Sequence, residues 1–366
     1  MKVRAAVARE GQGEFSIEEL ELSEPGPEEI LVRTVGCGLC HTDVKARDGA
    51  MGVPKPAVLG HEGAGIVEWV GERAGKVRVG DPVVLTYDSC GACQACRGGN
   101  PAYCAETTGL NFTDARCGLP GTFHKGGELV HGHFFGQSSF ATHVVARPRN
   151  TIPVRRDAPL EILGVLGCGV QTGAGAVMNA LRPEPGETIA IFGAGPVGLS
   201  AVLGAVVSGC REIVAIDVVA SRLEMARALG ATRVLGTRPG DRTGEEIRDL
   251  TSGGVHCALD TTGHAEGGRQ ALASLATRGR LGFVAIPPGG MQLDMRMVML
   301  RGLSVRGIVQ GDSVPDEFIP RLIDLHLAGR FPFDKFISRY DFERINEAVS
   351  DQAAGKVVKP VFAMSA

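Results

Sequence analysis

Up to about residue 150 the apolar positions come in short runs. Ile30-Leu31-Val32, Ala64-Gly65-Ile66-Val67 and Val83-Val84-Leu85 lie among punctuating Gly, Pro and Asp residues. Such punctuation predicts β-strands rather than helices. Pro25, Pro27, Pro54 and Pro56 mark the loops between them. From about residue 160 the pattern changes, and strand-length apolar runs alternate with helical ones. A strand at 188–192 is followed by a Gly-rich turn and an apolar helix to residue 208. A second strand at 212–217 precedes a helix at 221–229, and further strands are predicted at 232–235, 256–260, 280–286 and 303–309. Repeated βα units predict a parallel sheet covered by helices on both faces. The last stretch, 310–366, predicts helices at 316–328 and 342–354 and an apolar strand at 357–362 that can return to the first region.

Two stretches, 162–181 and 188–210, carry no charge and are long enough to cross a bilayer. Both are broken by Gly, and the second also by Pro196, so a buried strand, turn and helix is the better reading. The 366 residues fit two domains. Lys+Arg 38 against Asp+Glu 41 leaves a net charge of −3, which gives no electrostatic footprint for nucleic acid or an anionic membrane. The N-terminal residues do not read as a secretory signal, so a cytoplasmic location is expected and the ten cysteines call for an explanation other than disulfides.

Gly193-Ala194-Gly195-Pro196-Val197-Gly198 fits G-x-G-x-x-G in the context that gives the motif meaning, after an apolar strand and opening a helix. Gly193 permits the tight turn, Gly195 lets backbone approach a pyrophosphate, and Gly198 lets the helix pack on the strand. Unpaired N–H groups at the helix start then face the phosphates. Asp217 ends the next strand. A carboxylate there accepts hydrogen bonds from a ribose 2′-hydroxyl and repels a 2′-phosphate, which favours NAD over NADP.

Cys90-x2-Cys93-x2-Cys96-x7-Cys104, with glycines between, suits a closed tetrahedral Zn²⁺ site of structural role. The spacing fits neither the bacterial nor the plant iron–sulfur run. Cys40, His61 and Cys168 are scattered, and each alone reads as a small buried side chain. Together they amount to three zinc donors with a fourth position open. Cys37, Cys117, Cys210 and Cys257 carry no assigned chemistry.

In their order and spacing, Gly60-His61-Glu62-Gly63-Ala64-Gly65, the four-cysteine lobe, Gly167-Cys168-Gly169 and the Gly193 to Gly198 fingerprint with Asp217 resemble the zinc-dependent medium-chain alcohol dehydrogenases along nearly the whole chain. Two cysteines and one histidine are the catalytic set by which that family is known. The resemblance implies an α/β protein: a GroES-like β-rich catalytic domain, 1–169 plus 310–366, and a doubly wound parallel-sheet (Rossmann) NAD-binding domain, 170–309. It implies two zinc ions and NAD. Cys40, His61 and Cys168 would hold the catalytic zinc, with Glu62 beside it, tuning it or ligating it transiently, and Asp43 orienting His61. Thr42 would accept the substrate proton, and His41 would lie near the pyrophosphate. Thr172 and Val197 would meet the nicotinamide, the backbone around Val284 and Ile286 its carboxamide, Arg222 the adenosine ribose, and Lys359 the pyrophosphate. Many relatives have a histidine where this chain has Lys45, so the end of the proton relay differs. The resemblance also implies self-association through the strand at 303–309, which has little Lys or Pro to protect an edge.

The segment 131–142, HGHFFGQSSFAT, and the run Val84 to Cys90 resemble the aryl-alcohol and allylic terpene-alcohol members. Tyr87, Leu110, Phe134, Phe135 and Ile286 would then line an apolar pocket for a planar unsaturated alcohol, unless Phe134 and Phe135 are ordinary core residues. The expected reaction is NAD-dependent oxidation of a primary aryl or allylic alcohol to the aldehyde. A thiol-dependent formaldehyde dehydrogenase or a general short-chain alcohol dehydrogenase is the alternative. A non-catalytic NAD-binding protein would be expected to lack a zinc ligand or the Thr42 hydroxyl.

Overall fold

A computed structural model describes residues 1–114, 116 and 121–364. Cys117 lies outside the described residues. The chain divides into two compact units, Met1–Cys168 with Val314–Asp324 and Phe336–Ala366, and Gly169–Ser313 with Leu325–Lys335. The tail is thus shared between the units, whereas the sequence reading gave all of 310–366 to the first. The physical reason is the helix Pro196–Val207, which is apolar on nearly every side. Gly329, Arg330 and Pro332 line a hollow with its Leu203, Val206 and Val207, so this part of the tail is held by the second unit.

Two sheets build the first unit. In one, Lys2–Ala8 pairs antiparallel with Phe15–Leu22, and Ala57–Val58, Phe123–Lys125 and Glu128–Val130 extend it. The other runs in the order Thr151–Pro153, Pro82–Leu85, Gly63–Val70, Ile30–Gly38, Lys359–Ala363, Ile337–Asp341, with His143–Ala146 also on Ile30–Gly38. The predicted strand at 357–362 is therefore real but sits slightly later. It inserts between chain-distant strands, with Val361 opposite Gly38 and Phe362 opposite Cys37. Alternating positions such as Ile30 and Val32 are fully buried, with Val67, Val83, Leu85, Phe140 and Phe362 in the same core. Removing this apolar surface from water is the main stabilising contribution.

The second unit is a six-stranded parallel sheet in the order Arg233–Gly236, Glu212–Asp217, Thr188–Phe192, Val255–Asp260, Leu275–Phe283, Ser304–Gly307. Numbered along the chain this is 3-2-1-4-5-6, the Rossmann order. The fifth strand starts and ends earlier than the 280–286 predicted from its apolar run. The stretch 188–210 becomes a buried strand, a turn and a helix, and 162–181 falls into short helices. Among the described residues no single helix is long and apolar enough to cross a membrane.

The segment HFFGQSS has unusual backbone geometry. His133, Phe135 and Ser138 all have left-handed φ values, 59°, 53° and 57°. A side chain in that region costs of order 1 kcal/mol. The segment is held there by buried polar side chains. Gln137 donates to the carbonyls of His61 (3.0 Å) and Thr86 (3.1 Å), and its Oε1 accepts from Gly63 N–H (3.1 Å). Ser138 donates to Val58 O (2.7 Å) and accepts from Phe134 N–H (2.9 Å).

His133 heads this segment, fully buried, and among the described residues neither of its ring nitrogens has a hydrogen-bond partner. The charges facing it are Glu29, Arg116 and Arg147. Burial, with the two arginines reinforcing it against Glu29, pushes its pKa down to about 4. The folded state therefore disfavours the protonated ring. Stability linked to His133 is complete above the ordinary histidine value and is lost as pH falls from about 6.5 to about 4. Over that window it should contribute a slope of about 1.4 kcal/mol per pH unit to the unfolding free energy. His133→Asn, which tolerates the left-handed backbone, should remove about one proton's worth of that slope in denaturant titrations at successive pH values. Equal slopes in the two proteins would refute it.

Candidate active site

Cys40 stands just past the strand Ile30–Gly38, at the N-terminal edge of the helix His41–Arg47. His61 and Glu62 immediately precede the strand Gly63–Val70, and Cys168 follows the turn Gly164–Gly167. The fold brings these four together. Their ligand atoms, two sulfurs, a ring nitrogen and a carboxylate oxygen, all lie within 4.8 Å of one another. Asp43 organises the cluster from behind. Its Oδ1 is 2.8 Å from His61 Nδ1 and accepts from Gly60 N–H (3.1 Å), and its Oδ2 accepts from Cys40 N–H (2.9 Å). With Nδ1 occupied, the buried His61 Nε2 faces the cluster, where the Cys40 sulfur is its neighbour. This is the arrangement of a metal-ligating imidazole.

The protonation states agree. Cys168 shares a hydrogen bond with Cys40, which holds Cys40 well below the usual thiol range and, with burial, Cys168 well above it. Burial alone would lower His61, but Asp43 and the Cys40 sulfur outweigh it and hold its pKa well above the usual histidine value. A divalent cation replaces such protons, because thiolate and neutral imidazole are the ligating forms. Thr42 is half-buried, with its hydroxyl 3.6 Å from the Cys40 sulfur. His41 and Lys45, one helical turn apart, are exposed.

The second cluster is Cys90, Cys93, Cys96 and Cys104, again with ligand atoms within 4.8 Å. Backbone N–H groups point at the sulfurs, from Ala92 (3.4 Å) and Cys93 (3.3 Å) to Cys90 and from Cys90 (3.2 Å) to Cys104. N–H groups of Ala105 and Cys96 bring Cys93 down to about 6, whereas burial pushes Cys104 up to about 12. Four sulfurs so close cannot all ionise without a cation, and four thiolates around Zn²⁺ leave no open position. Among the described residues no cysteine is in a disulfide, and Cys37, Cys210 and Cys257 lie outside both clusters.

In the second unit the glycines do what the motif requires. Gly193 has φ +93°, and a Cβ there would meet the Thr261 hydroxyl at 2.5 Å. A Cβ on Gly198 would lie 1.7 Å from Gly193 O, whereas Gly195 faces open space. The helix Pro196–Val207 starts at that gap, which suits a pyrophosphate. Asp217 is buried, with Oδ2 accepting from Ala194 N–H (2.6 Å) and Oδ1 from Val219 N–H (2.8 Å), so the turn fixes the carboxylate that would meet a ribose. Arg222 has a buried Nε without a partner. Thr172, Val197 and Val284 are half-buried, and Ile286 is exposed.

Around His61 the aromatic side chains do not divide as the sequence reading had them. Phe135 is half-buried and stacks flat on the His61 ring, centroids 4.4 Å apart and planes 21° apart. Phe134 is only 2% exposed and belongs to the core, edge-on to both His61 (5.6 Å) and Phe135 (4.9 Å). It packs behind Phe135 and into the core, so it backs the wall rather than forming it. Tyr87 is buried and Leu110 half-buried. Phe112, which the sequence reading did not single out, meets Phe135 edge-on at 5.1 Å. Gln137 was also missed, although a buried amide within a Gly- and Ser-rich loop is a readable signal. Lys359 differs most from expectation. Instead of an open phosphate contact it is buried, with Nζ 2.5 Å from Glu62 Oε2 and donating to Leu39 O at 2.9 Å. The strand Lys359–Ala363 carries it inside the first unit's sheet, next to the metal cluster.

Comparison with known proteins agrees with this geometry. Residues 26–156 match the alcohol dehydrogenase GroES-like domain and residues 196–328 the zinc-binding dehydrogenase domain. A geraniol dehydrogenase of Castellaniella defragrans is 43% identical over 364 residues, 99% of this chain and 97% of that one. The crystal structure of benzyl alcohol dehydrogenase from Acinetobacter calcoaceticus is 43% identical with a TM-score of 0.95, and that of an alcohol dehydrogenase zinc-binding domain protein from Burkholderia ambifaria is 47% identical with a TM-score of 0.97. Each covers 100% of both chains. With both domain matches in chain order and the metal donors brought together as that order requires, the chain belongs to the zinc-binding, medium-chain alcohol dehydrogenase family.

Proposed function

We propose that the protein oxidises a primary aryl or allylic alcohol to the aldehyde, with NAD⁺ as hydride acceptor. The observation that carries the substrate class is the Phe135 ring stacked on the metal-ligand imidazole, with Phe112 and Phe134 behind it. A flat apolar wall beside the reacting position suits a conjugated ring or double bond. The relatives named for geraniol and benzyl alcohol, one allylic and one aryl, support the same class.

Cys40, His61 and Cys168 would hold a zinc ion, which would supply a Lewis acid that lowers the pKa of an alcohol oxygen. Asp43 keeps the His61 tautomer and ring orientation that leave Nε2 free to ligate. The Thr42 hydroxyl would take the alcohol proton, and Lys45 or solvent, at the exposed face of the same helix, would complete its passage to water. Bound NAD⁺ would supply the hydride acceptor, so that the overall balance would be alcohol plus NAD⁺ to aldehyde, NADH and a proton. In the second unit Gly195 and the following helix would take the pyrophosphate, with Asp217 and Arg222 at the adenosine ribose. Thr172, Val197, Val284 and Ile286 would meet the nicotinamide. The buried, doubly hydrogen-bonded Asp217 favours NAD⁺ over NADP⁺.

Benzyl alcohol or geraniol should exceed ethanol in kcat/KM by at least about a hundredfold, roughly 3 kcal/mol of transition-state binding, and NAD⁺ should be the better cofactor. Phe135→Ala should remove most of that preference, and more of it than Phe134→Ala does, because only Phe135 has an open face. Ethanol turning over as well as benzyl alcohol would sink the substrate class, and formaldehyde plus a thiol proving the better pair would replace it.

Two zinc ions per chain are expected from the two donor sets. Metal analysis should find both in the native protein and only the four-cysteine zinc in Cys168→Ser, which should not turn over. Cys93→Ser should instead lose thermal stability, since a structural thiolate site contributes folding energy directly. Full activity with a single zinc would contradict this.

Self-association is proposed through the edge strand Ser304–Gly307, all four of whose residues are exposed. Met295, Met299 and Leu300 in the preceding helix are also exposed, an apolar margin that a second copy would cover. Light scattering at micromolar concentration should give at least a dimer, and a monomer would count against the pairing.

A further inference from the structure

The Glu62 carboxylate sits between two cationic demands. An oxygen of it is within 4.8 Å of the Cys40, His61 and Cys168 donor atoms, and its Oε2 is 2.5 Å from Lys359 Nζ. Both side chains are fully buried, so neither charge has water to fall back on. Three features aim the ammonium at Glu62 rather than elsewhere. Lys359 opens a strand paired antiparallel to Ile30–Gly38, with Val361 opposite Gly38. Its Nζ is also anchored to Leu39 O at 2.9 Å, and Leu39 N–H in turn donates to Pro360 O at 3.0 Å. Finally, Glu62 Oε2 occupies the space that a side chain at position 38 would need. A Cβ on Gly38 would lie 2.2 Å from Oε2 and 2.9 Å from a Val165 methyl. Gly38 is therefore a slot, and Lys359 closes its far end.

We propose that Lys359 is a positioning residue that holds the Glu62 carboxylate in the slot beside Gly38, off the catalytic metal, and so keeps the fourth coordination position open for the alcohol. This rests on the reading that Cys40, His61 and Cys168 hold that metal. Without the ammonium the buried carboxylate would be drawn towards a metal held by Cys40, His61 and Cys168, and as a fourth protein ligand it would close the site as a structural zinc site is closed. The pair is thus an internal ligand and the lock that holds it back.

The test uses full-length protein with cobalt exchanged for zinc, and reads the visible difference spectrum on titration with imidazole, a small ligand for an open metal position. In the unaltered protein imidazole should shift the cobalt bands. In Lys359→Met the resting spectrum should already be altered and imidazole should bind at least tenfold more weakly, while Lys359→Arg should behave as the parent. The double variant Lys359→Met with Glu62→Gln, a neutral pair of similar shape, should recover parental imidazole binding. Gly38→Ala fills the slot while keeping Lys359, and should weaken imidazole in the same direction. Should Lys359→Met fail to fold, the parent, the double variant and Gly38→Ala decide the matter alone. Parental imidazole affinity in Gly38→Ala or Lys359→Met, or weak binding that persists in the double variant, overturns the proposal. A parent protein with no imidazole-responsive cobalt overturns instead the metal reading on which it rests.

Discussion

One carboxylate holds the active site together. Asp43 hydrogen-bonds to the backbone N–H of Cys40, to the backbone N–H of Gly60 and to the ring of His61, and it is fully buried while doing so. These contacts tie the start of one helix to a chain segment some twenty residues away, so the Cys40 sulfur and the His61 imidazole are held in fixed relation to each other. A donor set fixed in this way binds metal without ordering its ligands anew, and fixed geometry is what makes a Lewis-acid site effective. Loss of a buried anion with several hydrogen bonds is among the costlier single changes a protein can suffer.

Around that centre the first unit accumulates charges that would be unfavourable singly. Glu62 and Lys359 are both inside the protein, and removing one partner of such a pair costs about 3–5 kcal/mol because the other is left buried and uncompensated. The same logic governs the HFFGQSS loop. Its three left-handed non-glycine residues are tolerated because Gln137 and Ser138 satisfy backbone groups of Val58, His61, Gly63 and Thr86. The loop therefore does two jobs with one set of bonds. It clamps the His61 segment, and it turns Phe135 onto the imidazole while sending Phe134 into the core.

The second unit is simpler because its site is mostly backbone. The three motif glycines meet three different constraints, a positive φ, an open approach and a helix packed against the turn. The motif could be read locally because strand, turn and helix are consecutive in the chain. Asp217 adds the one longer-range element, and its bonds to Ala194 and Val219 depend on neighbouring parallel strands that the βα pattern already predicts.

The sequence by itself determined the fold class, the parallel sheet with its fingerprint, and the two sets of metal donors, because those signals lie in short spacings or in strictly ordered motifs. Only the tertiary structure decided which side chains face which. Phe134 and Phe135 are adjacent and chemically identical, and nothing in their order says that one is core and the other stacks on a ligand. That follows from a left-handed backbone step maintained by hydrogen bonds to distant strands. Lys359 reads in sequence as a lysine near the C-terminus, available to a phosphate. Its partner is set by a strand that crosses back some 320 positions to pair beside Gly38, and an isolated sequence motif contains no term for that register. The division of the tail between the units has the same origin. Residues 325–335 go where an all-round apolar helix needs covering, a property of the assembled surface and not of the segment itself.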